Sequence, residues 1–265
     1  MKMVLCGVLL SLTMGSYAQA GFWDWLPGRG RDRVSCNYSD SELRRIVPVE
    51  EQRAWKNTPK SYPVEKFDLQ SALEARPWLR DFRYVIVVNK AATGPTAQYI
   101  TVFEDGIQVA HEPISTGREK LELKRRSSSC EKQPPQSYYS ITATGYYNVE
   151  QLVKDHRSGS FDADMPYSIF YDREHGLALH QAAKPALKNL GRRASGGCTR
   201  MRKELAAPLF NKIAATRGSS IPVFNKDGSP ELDEYGQVKR SKTVPLFDGR
   251  TSAYSAIVII QDIAE

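Results

Sequence analysis

Residues 192–201 read RRASGGCTRM and place Cys198 in a glycine-rich turn. A second candidate, His180, lies eighteen positions upstream in the segment LALHQ. A cysteine attacks a carbonyl as its thiolate, so a catalytic cysteine needs a nearby base and backbone N–H groups for the oxyanion. Gly196 and Gly197 have no Cβ, so consecutive N–H groups in this turn can point into one concavity. The turn therefore suits a nucleophile and an oxyanion hole, with His180 as the candidate base.

The same segment resembles the signature of the YkuD-type L,D-transpeptidases. That signature is a histidine, a variable stretch, and then Ser/Thr-His-Gly-Cys followed by a hydrophobic residue and Arg or Asn. Here His180 is followed by Ser195-Gly196-Gly197-Cys198-Thr199-Arg200. Gly196 stands where the family usually has a second histidine, and Thr199 stands where it usually has an aliphatic residue. The nucleophile and the base of the family are both present.

Further segments resemble the family in the family's own order, over residues 83–225. The first three are expected strands at residues 84–89, 97–103 and 107–110. Three short motifs follow them along the chain: Ile114-Ser115-Thr116-Gly117, Thr142-Ala143-Thr144-Gly145-Tyr146-Tyr147 and Met165-Pro166-Tyr167. The resemblance implies a mainly β fold with α additions, namely a YkuD-like L,D-transpeptidase β-sandwich of mixed sheets with a helix after the active-site turn.

The resemblance also implies roles for single residues. Cys198 would be the nucleophile, and His180 would act first as base and then as acid. The backbone carbonyl of Gln181 would orient His180, and the N–H groups of Gly197 and Cys198 would form the oxyanion hole. The forked donors of Arg200 suit either holding the turn or binding a substrate carboxylate. The expected substrate-binding residues are Tyr167, Ser195, Gly196 and Arg200.

The reaction implied by the resemblance is acyl transfer on peptidoglycan stem peptides. Cys198 would form a thioester as the terminal D-alanine leaves, and an amine of a neighbouring stem or of an envelope protein would take the acyl group. Two alternatives remain open: an L,D-carboxypeptidase that uses water, and a non-catalytic peptidoglycan-binding protein on the same fold. Because Gly196 lacks an imidazole, we expect the cleft to be wetter and more open there, which favours water as the acceptor.

The start of the chain predicts a secretory signal peptide. Residues 1–20 combine Lys2, an apolar run and a small-residue cleavage site that ends at Ala20. The run is too short for a stable membrane anchor. We therefore expect an exported protein without a membrane span, in the periplasm or at the cell-wall face. With a net charge of +7, the protein suits anionic envelope polymers better than nucleic acid in that location.

Export also bears on the other cysteines, because thiols pair in an oxidising compartment. Without the signal peptide, Cys36, Cys130 and Cys198 remain, and one of the three must stay unpaired. Two possibilities remain open for Cys36 and Cys130: they form a disulfide, or both are free thiols. The histidines other than His180 lack partners at metal-ligand spacing, so neither a metal nor a cofactor is expected.

The chain divides into an extension and a catalytic domain after the signal peptide. Residues 21–80 predict an N-terminal helical extension, in which Pro77 should break a helix within residues 65–79. Residues 81–265 predict the L,D-transpeptidase-like catalytic domain. Within it, the C-terminal part over residues 226–265 carries an insertion and the last strand.

The pattern after the active-site turn predicts a short amphipathic helix beyond Met201. Pro208 should either start this helix or kink it. A strand is expected at residues 221–224, then a loop-rich insertion over 231–250, and a last buried strand at 256–260.

Overall fold

The computed structural model of the protein describes residues 58–124, 136–159, 161 and 163–264. The predicted signal peptide, most of the N-terminal extension, Cys36 and Cys130 lie outside the described residues, so these predictions remain untested. None of the described helices is long and apolar enough to cross a membrane.

A five-stranded mixed sheet is built around two wholly buried strands. β1 (Tyr84–Asn89) and β15 (Ala256–Gln261) pair in parallel, and every residue of both is buried. Apolar β-branched runs buried on both faces are typical of such central strands. The outer members are antiparallel to their neighbours: β2 (Tyr99–Glu104) and β3 (Ile107–Pro113) follow β1, and β6 (Gly145–Asn148) lies beside β15.

A four-stranded sheet carries the catalytic turn. Three of its strands, β7 (Gln151–Ser158), β8 (Ala163–Asp172) and β9 (Leu177–Gln181), are antiparallel neighbours in that order. The short edge strand β10 (Thr199–Met201) pairs with β9 in parallel. Cys198 therefore lies immediately before an edge strand, next to the strand that contains His180.

The main core lies between the two sheets. It includes buried residues of β1 and β15, such as Ile86 and Val258, together with Leu179 of β9 and Met201 of β10. A second core covers the outer face of the five-stranded sheet, where Trp78 and the ring of another buried residue, Phe224, stack with centroids 5.0 Å apart. The central sheet thus has apolar layers on both faces.

The N-terminal extension contributes a short helix, α1 (Leu69–Ala75), and a 3₁₀ turn (Pro77–Asp81). The Asp68 side chain accepts the Ser71 N–H at 2.9 Å and so caps α1. The predicted break at Pro77 is observed, but the helix is shorter than the predicted span of residues 65–79. The cap at Asp68 explains the later start.

Helix α2 (Lys203–Ala214) follows the catalytic turn, as predicted. Its buried residues pack into the main core or at its edge: Leu205, Ala206, Leu209, Phe210 and Ile213. Pro208 lies inside this helix, so the first of its two predicted alternatives, that it starts the helix, is excluded. The apolar stripe holds this turn of helix in place although a proline lacks the N–H for an intrahelical bond.

The remaining strands are short and form two-stranded pairs. They are β4 (Leu121–Lys124) with β5 (Gln136–Tyr139), β11 (Ile221–Pro222) with β12 (Arg240–Ser241), and β13 (Thr243–Leu246) with β14 (Gly249–Ser252). The expected strand at 221–224 therefore has two residues. The insertion at 231–250 contains strand pairing that the loop-rich prediction missed.

Candidate active site

Strand pairing brings Cys198 and His180 to one face of the four-stranded sheet. Arg200 lies opposite His180 in the parallel register, and Cys198 is two residues before Arg200. Side chains alternate between faces along a strand, so Cys198, His180 and Arg200 share one side. Leu179 and Met201 point the other way, into the main core. The pairing of β9 with β10 thus brings together His180 and Cys198, which are eighteen positions apart in the sequence.

His180 is held as a neutral base. It is 5% exposed, and its Nδ1 lies 2.8 Å from the Gln181 carbonyl oxygen. A carbonyl only accepts hydrogen bonds, so Nδ1 carries the proton and Nε2 has the free lone pair. Burial lowers the pKa of His180 to about 4, against the opposing effect of the Gln181 hydrogen bond. The predicted orienting position of Gln181 agrees with this geometry.

The Cys198 thiol is protonated in this arrangement. Its Sγ donates to the Gly176 carbonyl oxygen at 3.2 Å, and the side chain packs beside Phe170 and Ala178. Burial raises the pKa of the Cys198 thiol to about 11, although the Ala178 N–H and the charge of Arg200 lower it in part. The resting pair therefore consists of a thiol and a neutral imidazole at pH 7.

Ser195 builds the catalytic turn. It is fully buried, and its hydroxyl donates to the Cys198 carbonyl oxygen and accepts the Gly197 N–H at 3.1 Å. Its own backbone N–H donates to the Thr116 carbonyl oxygen at 2.8 Å. With these contacts Ser195 faces the protein, so the structure does not support its expected contact with substrate.

Gly197 is required by the shape of the turn. Its φ is +132°, where only glycine is unstrained, and a Cβ would lie 3.0 Å from the Ile141 carbonyl oxygen. Because its N–H is bound to Ser195, it is not available to an oxyanion, and this half of the predicted hole is corrected. The Cys198 N–H stays the candidate oxyanion donor.

Phe161 occupies the space beside Gly196. A Cβ on Gly196 would lie 2.7 Å from Cζ of the Phe161 ring and 3.1 Å from its Cε1. The predicted opening of the cleft at Gly196 was therefore wrong, because an aromatic ring from the loop between β7 and β8 fills that volume. Gly196 itself does not have a left-handed φ, unlike Gly197.

Two arginines hold the approach to the turn. Nη1 of Arg200 donates to the Ala194 carbonyl oxygen at 3.2 Å, and Nη1 of Arg118 donates to the same oxygen at 2.7 Å. Of the two roles predicted for Arg200, this geometry supports holding the turn. Arg118 was missed, although it directly follows the Ile114–Gly117 motif that resembles the family.

Thr142 is a second residue that sequence reasoning missed. Its hydroxyl donates to the Gly197 carbonyl oxygen at 2.6 Å and accepts the Gly117 N–H at 2.8 Å. It thereby ties the catalytic turn to the segment at Gly117. The signal for it was present, since Thr142 opens one of the motifs that resemble the family.

Tyr167 packs against α2, and its expected contact with substrate stays a prediction. Tyr167 has a φ of +56°, and its ring meets Phe210 of α2 edge to face at 5.8 Å beside the main core. The contacts described for Tyr167 do not join it to Cys198. His156, which was not a predicted site residue, lies edge-on against Phe170 with centroids 5.0 Å apart, and its charge helps to lower the pKa of His180.

One group of side chains has metal-ligand character. The ligand atoms of Asp172, Glu174 and His175 lie within 4.8 Å of one another. However, Asp172 already pairs with His175 Nδ1 at 2.9 Å and with Lys226 Nζ at 3.1 Å. An ammonium group therefore neutralises the buried carboxylate, and the expectation that no metal is bound stays a prediction.

Comparison with known proteins identifies the domain. The family model of the L,D-transpeptidase catalytic domain, YkuD, matches residues 83–230. An L,D-transpeptidase from Xylanimonas cellulosilytica is 17% identical over 72% of this chain and 68% of its own, with a TM-score of 0.39. L,D-transpeptidase 3 from Mycobacterium tuberculosis is 16% identical over 68% of this chain and 62% of its own, with a TM-score of 0.39. Among curated proteins, the search found no match.

An L,D-transpeptidase from Mycobacterium smegmatis is 12% identical, with a TM-score of 0.39 over 68% of this chain. The chain spans 59% of that structure's length. The described part of the chain has mixed sheets and few helices, so the predicted mainly β fold is confirmed. The family match covers more than half of the protein and includes both Cys198 and His180. The chain belongs to the YkuD family of L,D-transpeptidase catalytic domains.

Proposed function

We propose that this protein is an exported, cysteine-dependent acyltransferase that acts on peptidoglycan stem peptides and transfers the acyl group to an amine. The observation that carries the proposal is that Cys198, directly before β10, and His180, on the paired strand β9, lie on one face of the sheet. His180 is fixed by the Gln181 carbonyl so that its basic nitrogen is Nε2. Family membership supports the reaction class.

The first half-reaction begins from two neutral groups. The thiol turns away from the Gly176 carbonyl and passes its proton to His180 Nε2 while sulfur bonds to the substrate carbonyl carbon. The oxyanion that forms accepts the Cys198 N–H. His180 then gives the proton to the amine of the leaving D-alanine as the carbon–nitrogen bond breaks. The product is a thioester on Cys198 and a neutral imidazole.

The second half-reaction reverses these proton movements. An acceptor amine attacks the thioester carbonyl and loses a proton to His180. The carbon–sulfur bond breaks, and the sulfur takes the proton back. A stem amine gives a cross-link, and a lysine of an envelope protein gives a protein anchor. The predicted signal peptide and the net charge of +7 support an envelope location among anionic polymers.

Two substitutions test the catalytic assignment. Cys198→Ala should abolish turnover of a purified disaccharide tetrapeptide. His180→Ala should lower turnover about 10²–10⁴-fold, because general-base catalysis typically raises a rate by that factor. Chromatography with mass detection measures the products. His111→Ala on β3 is the matched control, since this exposed imidazole stacks on Tyr99 in the other sheet.

The products also separate the alternatives. Cross-linked dimers support the amine acceptor, whereas tripeptide alone supports an L,D-carboxypeptidase. Wild-type protein that binds the muropeptide without turnover, or variants that turn over as fast as wild type, would contradict the proposed role of the pair.

A further inference from the structure

A second cavity, of about 690 Å³, lies outside the catalytic turn. Neither Cys198 nor His180 belongs to the described residues that line it. Part of its wall comes from beyond the family match at residues 83–230: Tyr62 from the N-terminal extension, and Thr243 and Arg250 from the C-terminal insertion. The additions to the family core therefore converge on one concave surface.

Aromatic rings line this cavity. Tyr62, Tyr147 and Tyr171 contribute to it, and the last two rings contact each other with centroids 5.1 Å apart. The Lys226 ammonium lies 5.2 Å from the centroid of the Tyr147 ring. The tyrosine rings therefore give the cavity an apolar wall beside its charged groups.

Two acceptors in the cavity lack a full set of donors. The side-chain oxygen Oδ1 of Asn148 is buried and has no hydrogen-bond partner among the described residues. Two residues later, Glu150 accepts the Arg173 N–H at Oε2, at 2.7 Å, but no described cation forms an ion pair with it. Leaving buried acceptors unsatisfied is costly, so a donor is expected there.

The other charged groups of the cavity already have partners. Lys226 pairs with Asp172 at 3.1 Å, and Glu231 pairs with Lys239 at 3.5 Å. Asp227 accepts from Ser229, and Arg250 donates to Thr243. Among the described acids that line the cavity, Glu150 is therefore the partly buried one without a paired cation, since Asp227 is exposed.

The raised pKa of Glu150 shows that its carboxylate is poorly stabilised by its surroundings. Burial raises the pKa of Glu150 to about 7, and the charge of Asp172 raises it further, while the Arg173 N–H and the charges of Lys226 and Arg173 act in the opposite direction. A bound cation would stabilise the carboxylate.

We propose that this cavity binds a primary alkylammonium group, such as a lysine side chain of a peptide. The ammonium group donates to Asn148 Oδ1 and Glu150, and the alkyl chain lies against the tyrosine rings. This second site goes beyond the proposed acyl transfer and does not depend on it.

Binding of Nα-acetyl-lysine methyl ester to the full protein tests the site, with calorimetry or ligand-observed NMR as the measurement. Nα-acetyl-norleucine methyl ester is the matched probe without the ammonium group. We expect the lysine ester to bind at least tenfold more tightly than the norleucine ester at pH 8. Glu150→Gln should weaken the lysine ester at least tenfold, because the amide keeps the acceptor for Arg173 but removes the charge. Asn148→Asp adds a charge and should tighten binding.

The pH dependence gives a second readout. Glu150 ionises as the pH rises from 6 to 8, so the affinity for the lysine ester should rise in wild type and stay flat in Glu150→Gln. Cys198→Ala should bind as well as wild type, which separates this site from the catalytic cleft and from the proposed function. Equal binding of the two esters, undiminished binding in Glu150→Gln, or loss of binding in Cys198→Ala would each overturn the proposal.

Discussion

At the residue scale, the site combines a buried imidazole with a partly buried thiol, and both are uncharged at neutral pH. Burial lowers the pKa of His180 to about 4 and raises the pKa of Cys198 to about 11. Between these values the pair is neutral, so a preformed thiolate–imidazolium pair is not the resting state. Proton transfer to His180 therefore accompanies attack on the substrate.

The neutral pair predicts how Cys198 responds to pH. Iodoacetamide alkylates the thiolate, so the alkylation rate of Cys198 should keep rising from pH 7 to pH 10, about tenfold per unit. An ordinary cysteine would level off near its pKa of about 8.5. Mass mapping of the Cys198 peptide measures the rate, and the urea-unfolded protein is the control. A plateau below pH 9 in the folded protein would disagree with the buried, protonated thiol.

The contact between Phe161 and Gly196 predicts coupled substitutions. Gly196→His places a Cβ against the Phe161 ring, so we expect a loss of about 1 kcal/mol in unfolding free energy and a lower turnover. Phe161→Ala removes the ring and should restore both in the double variant. Urea unfolding and muropeptide turnover measure the cycle.

The cost is modest because the Phe161 ring is 48% exposed and can shift. Effects that simply add in the double variant would show that the two positions do not interact.

Sequence reasoning proposed Cys198 and His180 from the chemistry of the glycine-rich turn and from their spacing, and the resemblance to the family added Gln181. It did not predict that the Gly197 N–H donates to the Ser195 hydroxyl. Hydrogen bonds within a turn depend on backbone angles, which the sequence pattern does not specify. Nor did it foresee Phe161, which reaches Gly196 from another strand connection. Contacts between segments that are distant in sequence could not be predicted from the sequence pattern.

At the scale of elements, the catalytic turn depends on the left-handed conformation of Gly197. Gly197→Ala should cost stability through both backbone strain and the contact with the Ile141 carbonyl oxygen. Gly191→Ala is a matched control, because Gly191 has a φ of +85° but nothing within 4 Å of its added Cβ. We expect Gly197→Ala to lose about 1–2 kcal/mol more than the control in urea unfolding. Equal losses would show that the close approach to Ile141 is not important.

The buried strands were the elements most fully predicted. β1 and β15 are continuous apolar runs of six residues rich in Val and Ile, and this length and composition favour a buried strand over a helix. The hairpin of β13 and β14 was missed: its two connecting residues are Phe247 and Asp248, and Gly249 already pairs with Leu246 as the first residue of β14. Apolar and polar residues alternate only weakly along these two strands, so their sequences did not predict a hairpin.

At the scale of the whole molecule, the strand β15 (Ala256–Gln261) lies at the centre of the fold. β15 lies between β1 and β6, so the last strand is an interior member of the five-stranded sheet. Its four buried branched residues, Ile257 to Ile260, are worth roughly 6–12 kcal/mol at about 1.5–3 kcal/mol each. That is comparable to the whole stability of a typical domain, about 5–15 kcal/mol.

Removal of residues 256–265 should therefore abolish folding. Circular dichroism and urea unfolding measure the result, and we expect no cooperative transition. Removal of residues 262–265 alone is the control, because it keeps β15 and loses peripheral contacts such as the Arg193–Asp262 ion pair. A cooperative transition in the longer deletion would mean that β1 and β6 close the sheet without β15.

The hydrogen bond from Cys198 to the Gly176 carbonyl also bears on the durability of the protein. Peroxides and disulfides consume the thiolate far faster than the thiol. A sulfur that remains protonated up to about pH 11 is therefore stored in a form that oxidants attack slowly. The thiolate forms only while a substrate carbonyl lies beside the sulfur and His180 takes its proton. The resting protein is therefore protected from oxidation without loss of reactivity toward its substrate.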